Sequence, residues 1–576
     1  MQLDQLRFRT GSEIQVSKPS FPPTRSLLFL ILLSAGIGGL QGVFALIFSN
    51  GSAHLGDLGL SKAAQTLVWI TLPLAGMTVQ PYCGIRSDQC LSSWGRRRPF
   101  IASGAIVAVV SLLGLASTER LAAAVVRLSA RGCSPTDACS KEEPAKAAAD
   151  SLAAVMSVFF IMALSIALQP LQGGLRALMV DMCPRAQQPA ATAVAGAVVS
   201  ASNILCYAVG FVDLPRISLL RALGGDSQFA ILCIITSVTL AVSVGLTCLG
   251  VRERSATLGD DGLSAAARGT RNTVRAQLWY LRTSFPRLPR QVQQVFKVQF
   301  FSWIGWFPFL FYATTYLRET YKNETPAVQR LDRGFQARAA KVGSLGLMLF
   351  ALVAFVAGAF LSTAHKHANR GGQVIGSTLT GLTRSLRRMW IASQVLFAVC
   401  MFATAFTPSL RGVYVLVSLS GISWAVTIWA PFALISTHIV HDTGRRSGET
   451  MYSQPLMRDE EESLIEDYEQ QNLMVGEKEE DDRHVYGGEA DDVYERRPGV
   501  IMGLHNVAIA APQIAAAASC SLIFWILEGS SQDSVGWTLR FGGLAALGAA
   551  IMASGIQEEV SEFPLKKLTR CIAGTG

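Results

Sequence analysis

The chain has 576 residues, of which 50% are hydrophobic and 16% are charged, and its mean hydropathy is +0.35. In soluble globular chains about a quarter of all residues are charged, so this composition argues against an ordinary soluble enzyme. The net charge of +9 would suit a nucleic-acid-binding protein. Its basic residues, however, lie mostly in short segments between long apolar runs, a pattern that indicates a polytopic membrane protein with a lipid bilayer, not nucleic acid, as its partner.

Twelve segments are apolar and long enough to cross a bilayer as helices, which takes about 20 residues. In chain order they are predicted at 26–49, 64–85, 99–117, 151–180, 189–212, 228–250, 296–317, 341–363, 390–407, 412–437, 498–527 and 536–556. The first runs on too long for a cleaved signal peptide, so we interpret it as a transmembrane helix. The sequence thus predicts an all-α membrane protein.

The hydrophilic segments predict how the twelve spans are grouped. The parts are a cytosolic tail (1–25), a first six-helix bundle (26–250), a basic linker (251–295), a second six-helix bundle (296–556) and a C-terminal tail (557–576). Most Lys and Arg residues lie in the tails and loops on the same side of the membrane as the N-terminus. The positive-inside rule therefore predicts that both termini are cytosolic.

Segment 438–497, between spans ten and eleven, is predicted to be a disordered cytosolic loop. Its stretch 459–495 holds 16 acidic and 2 basic residues and cannot bury a core. On the other side, Cys133 and Cys139 share an external loop, where a disulfide is one possibility. The chain has no CxxC pair, His/Cys metal spacing, Walker loop or hydrolytic triad, so we expect no metal, cofactor or enzymatic activity.

A motif of glycines, one acid and three arginines joins the second and third spans. Gly84 and Asp88 end the second span, and Gly95 precedes the run Arg96, Arg97 and Arg98. Glycines let helices approach closely, and an acid followed by arginines can form ion pairs that hold helix ends together at one membrane face. The pattern resembles the signature loop of the major facilitator superfamily, in the form found in glycoside–cation symporters.

Six further segments narrow this resemblance. They are 72–81 (LPLAGMTVQP), 171–181 (LQGGLRALMVD), 202–213 (SNILCYAVGFVD), 299–309 (QFFSWIGWFPF), 423–433 (SWAVTIWAPFA) and 503–513 (GLHNVAIAAPQ). Together they are similar to the sucrose transporter family, and most to its fungal sucrose and α-glucoside branch.

The resemblance implies a fold of two pseudo-symmetric six-helix bundles that rock around a central cavity. It also implies proton-coupled import of sucrose or a related α-glucoside such as maltose, with the proton as coupling ion and no other cofactor. We expect a monomer in the plasma membrane, with the vacuolar membrane less favoured. The signature residues Gly84, Asp88, Gly95 and Arg96–Arg98 would bias the conformational equilibrium and would not contact sugar.

Polar residues inside the fourth span are the strongest site candidates. Arg176 is the one arginine well inside an apolar span, and it shares a helix face with Gln169 and Gln172. We interpret this face as cavity-lining; the alternative is packing against a neighbouring helix. Asp181 matches the acid that the resemblance implies as proton carrier, with Arg176 as its partner in coupling. The two side chains point about 140° apart, and Asp181 could instead be a solvated acid at the cytosolic end.

Several other residues are predicted to contact sugar, because a disaccharide needs paired donors and acceptors and flat aromatic surfaces. They are Gln41, Gln172, Asn203, Trp303, Trp306, Trp429, Asn506 and Gln513. The alternatives are interhelical hydrogen bonds for the amides and packing or an interfacial belt for the tryptophans.

The chain also departs from the family pattern at positions that matter for coupling. Ile47 stands where fungal and animal relatives place a glutamate, while Gln41 is retained. Polar positions of span ten are occupied by Ile428 and the run 436–438, and Arg318 replaces a glycine. These departures leave open a sugar facilitator, a carrier of another neutral solute, or a non-transporting sugar sensor that signals through the acidic loop.

Overall fold

The computed structural model describes residues 25–88, 90, 92–130, 142–184, 187–225, 227–253, 285–330, 332, 334–369, 382–383, 385–452, 498–530 and 532–556. Within these residues the chain is helical, with no β-strand. The predicted N- and C-terminal tails, most of the basic linker and acidic loop, and the pair Cys133 and Cys139 lie outside the described residues.

The described residues of the first half form nine α-helices. They are α1 (Leu27–Leu46), α2 (Ser52–Asp57), α3 (Lys62–Trp69), α4 (Thr71–Asp88), α5 (Arg98–Ala130), α6 (Glu142–Met182), α7 (Gln188–Phe211), α8 (Ser218–Gly224) and α9 (Gln228–Gly250). A π-helical turn, Ile47–Gly51, joins α1 to α2, so together they form span one. Helices α3 and α4 form span two, and α5, α6, α7 and α9 form spans three to six.

The described residues of the second half follow a similar plan, with seven α-helices. They are α10 (Arg290–Glu324), α11 (Ala327–Arg330), α12 (Phe335–Asn369), α13 (Leu386–Ala403), α14 (Leu410–Tyr452), α15 (Pro498–Ile526) and α16 (Ser534–Ser554). Spans seven to twelve are α10 and α12 to α16. Several of these helices are longer than predicted, because hydropathy marks only the part that suits lipid and helices continue beyond it.

Ten of the described helical segments are long and apolar enough to cross a membrane, which makes the chain a multi-pass membrane protein. Spans two and seven are helical but are not among the ten. Span seven buries side chains around most of its circumference from Val292 to Thr320. A helix that neighbouring helices shield from lipid can hold polar residues, which explains its lower hydropathy.

Local sequence explains where several helices begin. Ser26, Ser61, Ser227 and Ser385 each precede a helix and accept a hydrogen bond from the backbone N–H three residues later. Asp533 does the same at α16, accepting from Gly536 N at 2.7 Å. These caps satisfy donors that the first helical turn leaves unpaired.

The two halves pack by one repeated scheme. In the first half, span one packs against spans five and six, and span three packs against spans four and six. In the second half, the equivalent span seven packs against spans eleven and twelve, and span nine packs against spans ten and twelve. The halves meet most extensively through two equivalent pairs, span two with span eleven and span five with span eight, and spans one and seven also touch. The predicted pair of pseudo-symmetric bundles is therefore confirmed.

Candidate functional site

The polar face of span four lies beside span two. Gln169 is buried, and its Nε2 donates to Ser165 O at 3.0 Å and to Leu72 O of α4 at 3.5 Å. Gln172 is half-buried, and Arg176 is exposed although it precedes the end of α6 by six residues, about 9 Å. The predicted face thus begins packed and becomes accessible toward Arg176.

Span two carries a residue that the sequence interpretation did not select. Gln80 of α4 accepts a hydrogen bond through Oε1 from Asn506 Nδ2 of α15 at 3.2 Å. Asn506 Nδ2 also lies 3.4 Å from Gly76 O. The predicted residue Asn506 therefore joins the two halves by bonding to α4.

The remaining predicted amides are spread over three helices. Gln513 donates to Ile509 O of its own helix at 3.0 Å. Gln41 is half-buried on the face of span one that also carries Phe44 and Phe48, whose rings stack at 5.9 Å. Asn203 is half-buried, and its buried Oδ1 has no hydrogen-bond partner among the described residues. A buried acceptor without a partner is costly, which favours a ligand or water at this position.

The predicted tryptophans occupy different surroundings. Trp306 is fully buried, with its ring 4.1 Å from that of Phe397 and 4.9 Å from that of Trp424. Trp303 is half-buried and meets Trp424 edge to face at 5.9 Å. Trp429 is half-buried, 5.9 Å from His365. Trp306 therefore acts in packing in this conformation, while Trp303 and Trp429 retain accessible surface.

The signature motif forms a charge cluster with the end of span four. Arg97 Nε and Arg96 Nη2 each lie 3.0 Å from Asp181 Oδ2. Arg97 Nη1 also donates to Ser87 Oγ, which in turn donates to Gly84 O at 2.9 Å. Among the described residues, Arg176 is not an ion-pair partner of Asp181. The structure thus places the predicted proton carrier within the predicted conformational switch.

A second carboxylate, Glu253, completes this cluster. It follows α9 and accepts hydrogen bonds from Arg97 N at 3.0 and 3.2 Å, and it lies 3.8 Å from Arg96 Nε. Gly95 has φ +115°, and a Cβ there would come 2.3 Å from Glu253 Oε2. Both the backbone angle and the space therefore require glycine at position 95. We call the residues Ser87, Gly95, Arg96, Arg97, Asp181 and Glu253 the Arg97 cluster.

Two neighbours complete the electrostatics at this end. Arg98 is buried, and its Nε and Nη2 have no hydrogen-bond partner among the described residues. Burial raises the pKa of the Cys183 thiol, which follows α6, although the charge of Arg25 acts in the opposite direction. The thiol therefore stays neutral beside the Arg97 cluster. The described residues hold no group of three or more His, Cys, Asp or Glu suited to a metal ion.

At the other end of the bundles, hydrogen bonds and two ion pairs join the two halves. Lys62 Nζ of α3 lies 2.6 Å from Glu319 Oε1 of α10 and 3.2 Å from Ser534 Oγ of α16. Thr66 hydrogen-bonds to Tyr312, and the other contacts of this group are Ser52 Oγ to Phe311 O (3.0 Å) and Ser521 Oγ to Ala63 O (3.1 Å). We call these residues the Lys62 seam.

Two polar contacts extend the Lys62 seam. Arg318 Nη2 donates to Asn50 Oδ1 at 3.4 Å, and Lys341 Nζ lies 3.2 Å from Asp213 Oδ2. Each joins a helix of one half to a segment of the other. The two halves are therefore closed against each other at this end of the molecule.

Comparison with known proteins gives relatives over nearly the whole chain. The general alpha-glucoside permease of Schizosaccharomyces pombe is 26% identical over 96% of this chain and 98% of its own length. Sucrose transport protein SUT3 of Oryza sativa subsp. japonica is 29% identical over 58% of this chain and 64% of its own length. No family model matches the chain.

Among solved structures, the fold is similar to that of two sugar carriers. The partially occluded inward-open xylose transporter XylE from E. coli aligns with a TM-score of 0.52 and 12% identity, over 93% of this chain and 99% of that one. A D-xylose–proton symporter aligns with a TM-score of 0.51 and 14% identity, over 93% and 99%. The chain therefore has the major facilitator superfamily fold and is a relative of alpha-glucoside permeases and sucrose transport proteins, as its motifs predicted.

Proposed function

We propose that this protein is a proton-coupled symporter that imports sucrose or a related α-glucoside by alternating access. The proposal rests on the polar contact between the two halves. Gln80 of the first half hydrogen-bonds to Asn506 of the second half, next to the face of span four on which Arg176 is accessible. A neutral, hydroxyl-rich solute needs such paired donors and acceptors between the moving halves. The names of the relatives, an alpha-glucoside permease and sucrose transport proteins, support a sugar as substrate.

The proposal includes an orientation in the membrane. The Arg97 cluster and both termini face the cytosol, following the basic residues of the sequence, and the Lys62 seam faces outside. The protein then acts as a plasma-membrane monomer whose outer end is closed in this structure. Opening the Lys62 seam would admit sugar to Gln41, Gln172, Asn203, Trp303, Trp429 and Asn506.

Proton coupling is assigned to Asp181 and its contacts. The guanidinium groups of Arg96 and Arg97 each lie 3.0 Å from Asp181 Oδ2. A proton on the carboxylate would remove the negative charge that attracts them. Protonation would therefore loosen the Arg97 cluster directly. Arg176, five residues before Asp181 on the same helix, takes part from the face that adjoins span two.

Two other functions have observations in their favour. Ile47, at a position where the family resemblance implies an acid, favours a sugar facilitator without proton coupling, or a carrier of another neutral solute. The acidic segment 459–495 favours a sugar sensor that does not transport. Each alternative predicts a different result when sugar uptake is measured in cells that express the protein.

The test is uptake of labelled sucrose and maltose by yeast that lacks its own sugar uptake, with the pH of the medium recorded. A symporter accumulates at least one sugar and makes the medium more alkaline as the sugar enters. Uptake without alkalinisation indicates a facilitator. Absence of uptake for both sugars overturns the proposed transport and leaves the sensor or a carrier of another neutral solute.

A substitution then tests the role of Asp181. Asp181→Asn should lower proton-driven accumulation about ten-fold, while leaving sugar exchange across the membrane, since the neutral side chain cannot alternate its charge. The matched control is Asp332→Asn, because Asp332 also pairs with an arginine, Arg338, at 2.8 Å, but in an exposed loop. Unchanged accumulation in Asp181→Asn would contradict the assignment.

A further inference from the structure

Gln80 lies at the junction of three helices that approach the candidate site. It belongs to α4, its Oε1 accepts from Asn506 Nδ2 of α15 at 3.2 Å, and its side chain is half-buried. Helix α4 also packs against α6, which carries Gln172 and Arg176. One carboxamide therefore lies next to residues of both halves.

The neighbouring helix leaves space for this side chain. A Cβ on Gly173 of α6 would lie 3.3 Å from Gln80 Cγ and 3.7 Å from Gln80 Nε2. The glycine at position 173 thus lets the side chain of Gln80 lie against α6 without a tight contact. Gly173 is next to Gln172 and three residues before Arg176, so Gln80 adjoins the face that the sequence analysis selected.

The chemistry of the pair suits a hydroxyl group. Gln80 offers an acceptor and two donors, and Asn506 offers the same set. In this structure one donor of Asn506 uses the acceptor of Gln80. A hydroxyl group donates one hydrogen bond and accepts others, so it can accept from Asn506 and donate to Gln80 at the same time. An ammonium group has no acceptor and a carboxylate has no donor, so neither can replace the bond in this way.

We propose that Gln80 is a specificity-determining residue that contacts the transported sugar, and that one sugar hydroxyl inserts between Gln80 and Asn506. The inference rests on the proposed sugar transport and adds a residue and a chemical reason for selecting hydroxylated solutes. Because the inserted hydroxyl bonds to α4 and to α15, it keeps the two halves linked while sugar is bound. Removal of that hydroxyl leaves two amides to bond only to each other.

The experiment uses the full-length protein in yeast, with the sugar that the wild type transports and its monodeoxy analogues, each lacking one hydroxyl. For the wild type, one analogue should show a KM about ten-fold higher than the parent sugar, because it cannot bridge the pair. Gln80→Met, which keeps the side-chain length without polar atoms, should raise the KM of the parent sugar about ten-fold. It should show no further penalty for that one analogue, while kcat changes less than KM.

Two further variants keep the test decisive. Gln80→Leu removes the same polar atoms and should lose the same analogue penalty, so it serves as the test if Gln80→Met does not reach the membrane. Gln329→Leu, in the exposed helix α11, is a control for expression and should behave as the wild type. A Gln80 residue that only fastens α4 to α15 would alter protein abundance or kcat and leave every analogue penalty in place.

The two proposals fail in different ways. If the wild type transports no sugar, the proposed function falls and the analogue series cannot begin. If the wild type transports sugar but every analogue penalty persists in both Gln80 variants, sugar transport stands and the role of Gln80 is overturned.

Discussion

The two ends of the molecule both use charge pairs, but they join different partners. At the Lys62 seam, Lys62 of the first half pairs with Glu319 of the second half at 2.6 Å. In the Arg97 cluster, Asp181 and Glu253 pair with arginines of the same half. The first set holds the halves together, and the second holds the helix ends of one half together.

Burial separates the two sets further. The side chain of Glu253 is 4% exposed, whereas the side chains of Lys62 and Glu319 are 37% and 35% exposed. A buried charge without its partner is strongly destabilising, but an exposed pair contributes little net energy. While Asp181 is charged, the Arg97 cluster therefore suits a rigid body that moves as a unit, whereas the Lys62 seam suits a contact that breaks and re-forms.

The largest effect is expected where backbone geometry and charge meet in the Arg97 cluster. Gly95→Ala should destabilise the protein by roughly 3 kcal/mol, because the alanine would adopt a strained positive φ and its Cβ would collide with Glu253. The measurement is the thermal unfolding midpoint of the purified protein, together with its abundance in the membrane.

The same motif offers a matched control. Gly84→Ala adds the same methyl group at a helical position where a Cβ meets nothing within 4 Å. It should leave stability unchanged or raise it by up to about 1 kcal/mol through helix propensity. Equal losses for the two variants would show that the φ of Gly95 and its contact with Glu253 are not what matters.

A smaller effect is expected from neutralising the buried carboxylate. Glu253→Gln keeps an oxygen that accepts from Arg97 N but removes the negative charge beside Arg96 and Arg97, which should cost about 2 kcal/mol. Unfolding midpoints of Glu253→Gln and Glu319→Gln, measured side by side, check the comparison of the two ends. The rigid-body interpretation is wrong if the more exposed Glu319 proves the more costly substitution.

The helical spans and the family resemblance could be predicted because their signals are local. Runs of about 20 apolar residues mark spans without knowledge of neighbours, and the signature residues lie close together in sequence. Span seven shows the limit of hydropathy alone, since neighbouring helices shield its polar residues. It was predicted at 296–317 from its central apolar part, while the helix runs from Arg290 to Glu324.

The partners of these residues could not be predicted, because they are distant in sequence and carry no local signature. Glu253 lies 156 residues from Arg97, and Asn506 lies 426 residues from Gln80. Trp306 illustrates the same problem, because a tryptophan in a span has one sequence pattern whether it stacks on a ligand or on Phe397. Tertiary packing decides such cases, and here it buries Trp306 completely.

The smallest effect is expected at the Lys62 seam, where one half-buried pair is exchanged. Lys62→Glu places two acids opposite each other and should shift the closed–open equilibrium toward opening by about 1 kcal/mol, roughly five-fold. Hydrogen exchange of the segments around Ser52 and Tyr312, followed by mass spectrometry in lipid nanodiscs, should become faster by a similar factor. The double variant Lys62→Glu with Glu319→Lys should restore the slower exchange, because opposite charges face each other again. Fast exchange that persists in the double variant would mean that the hydrogen bonds of Thr66, Ser52 and Ser521, and not the ion pair, keep this end closed.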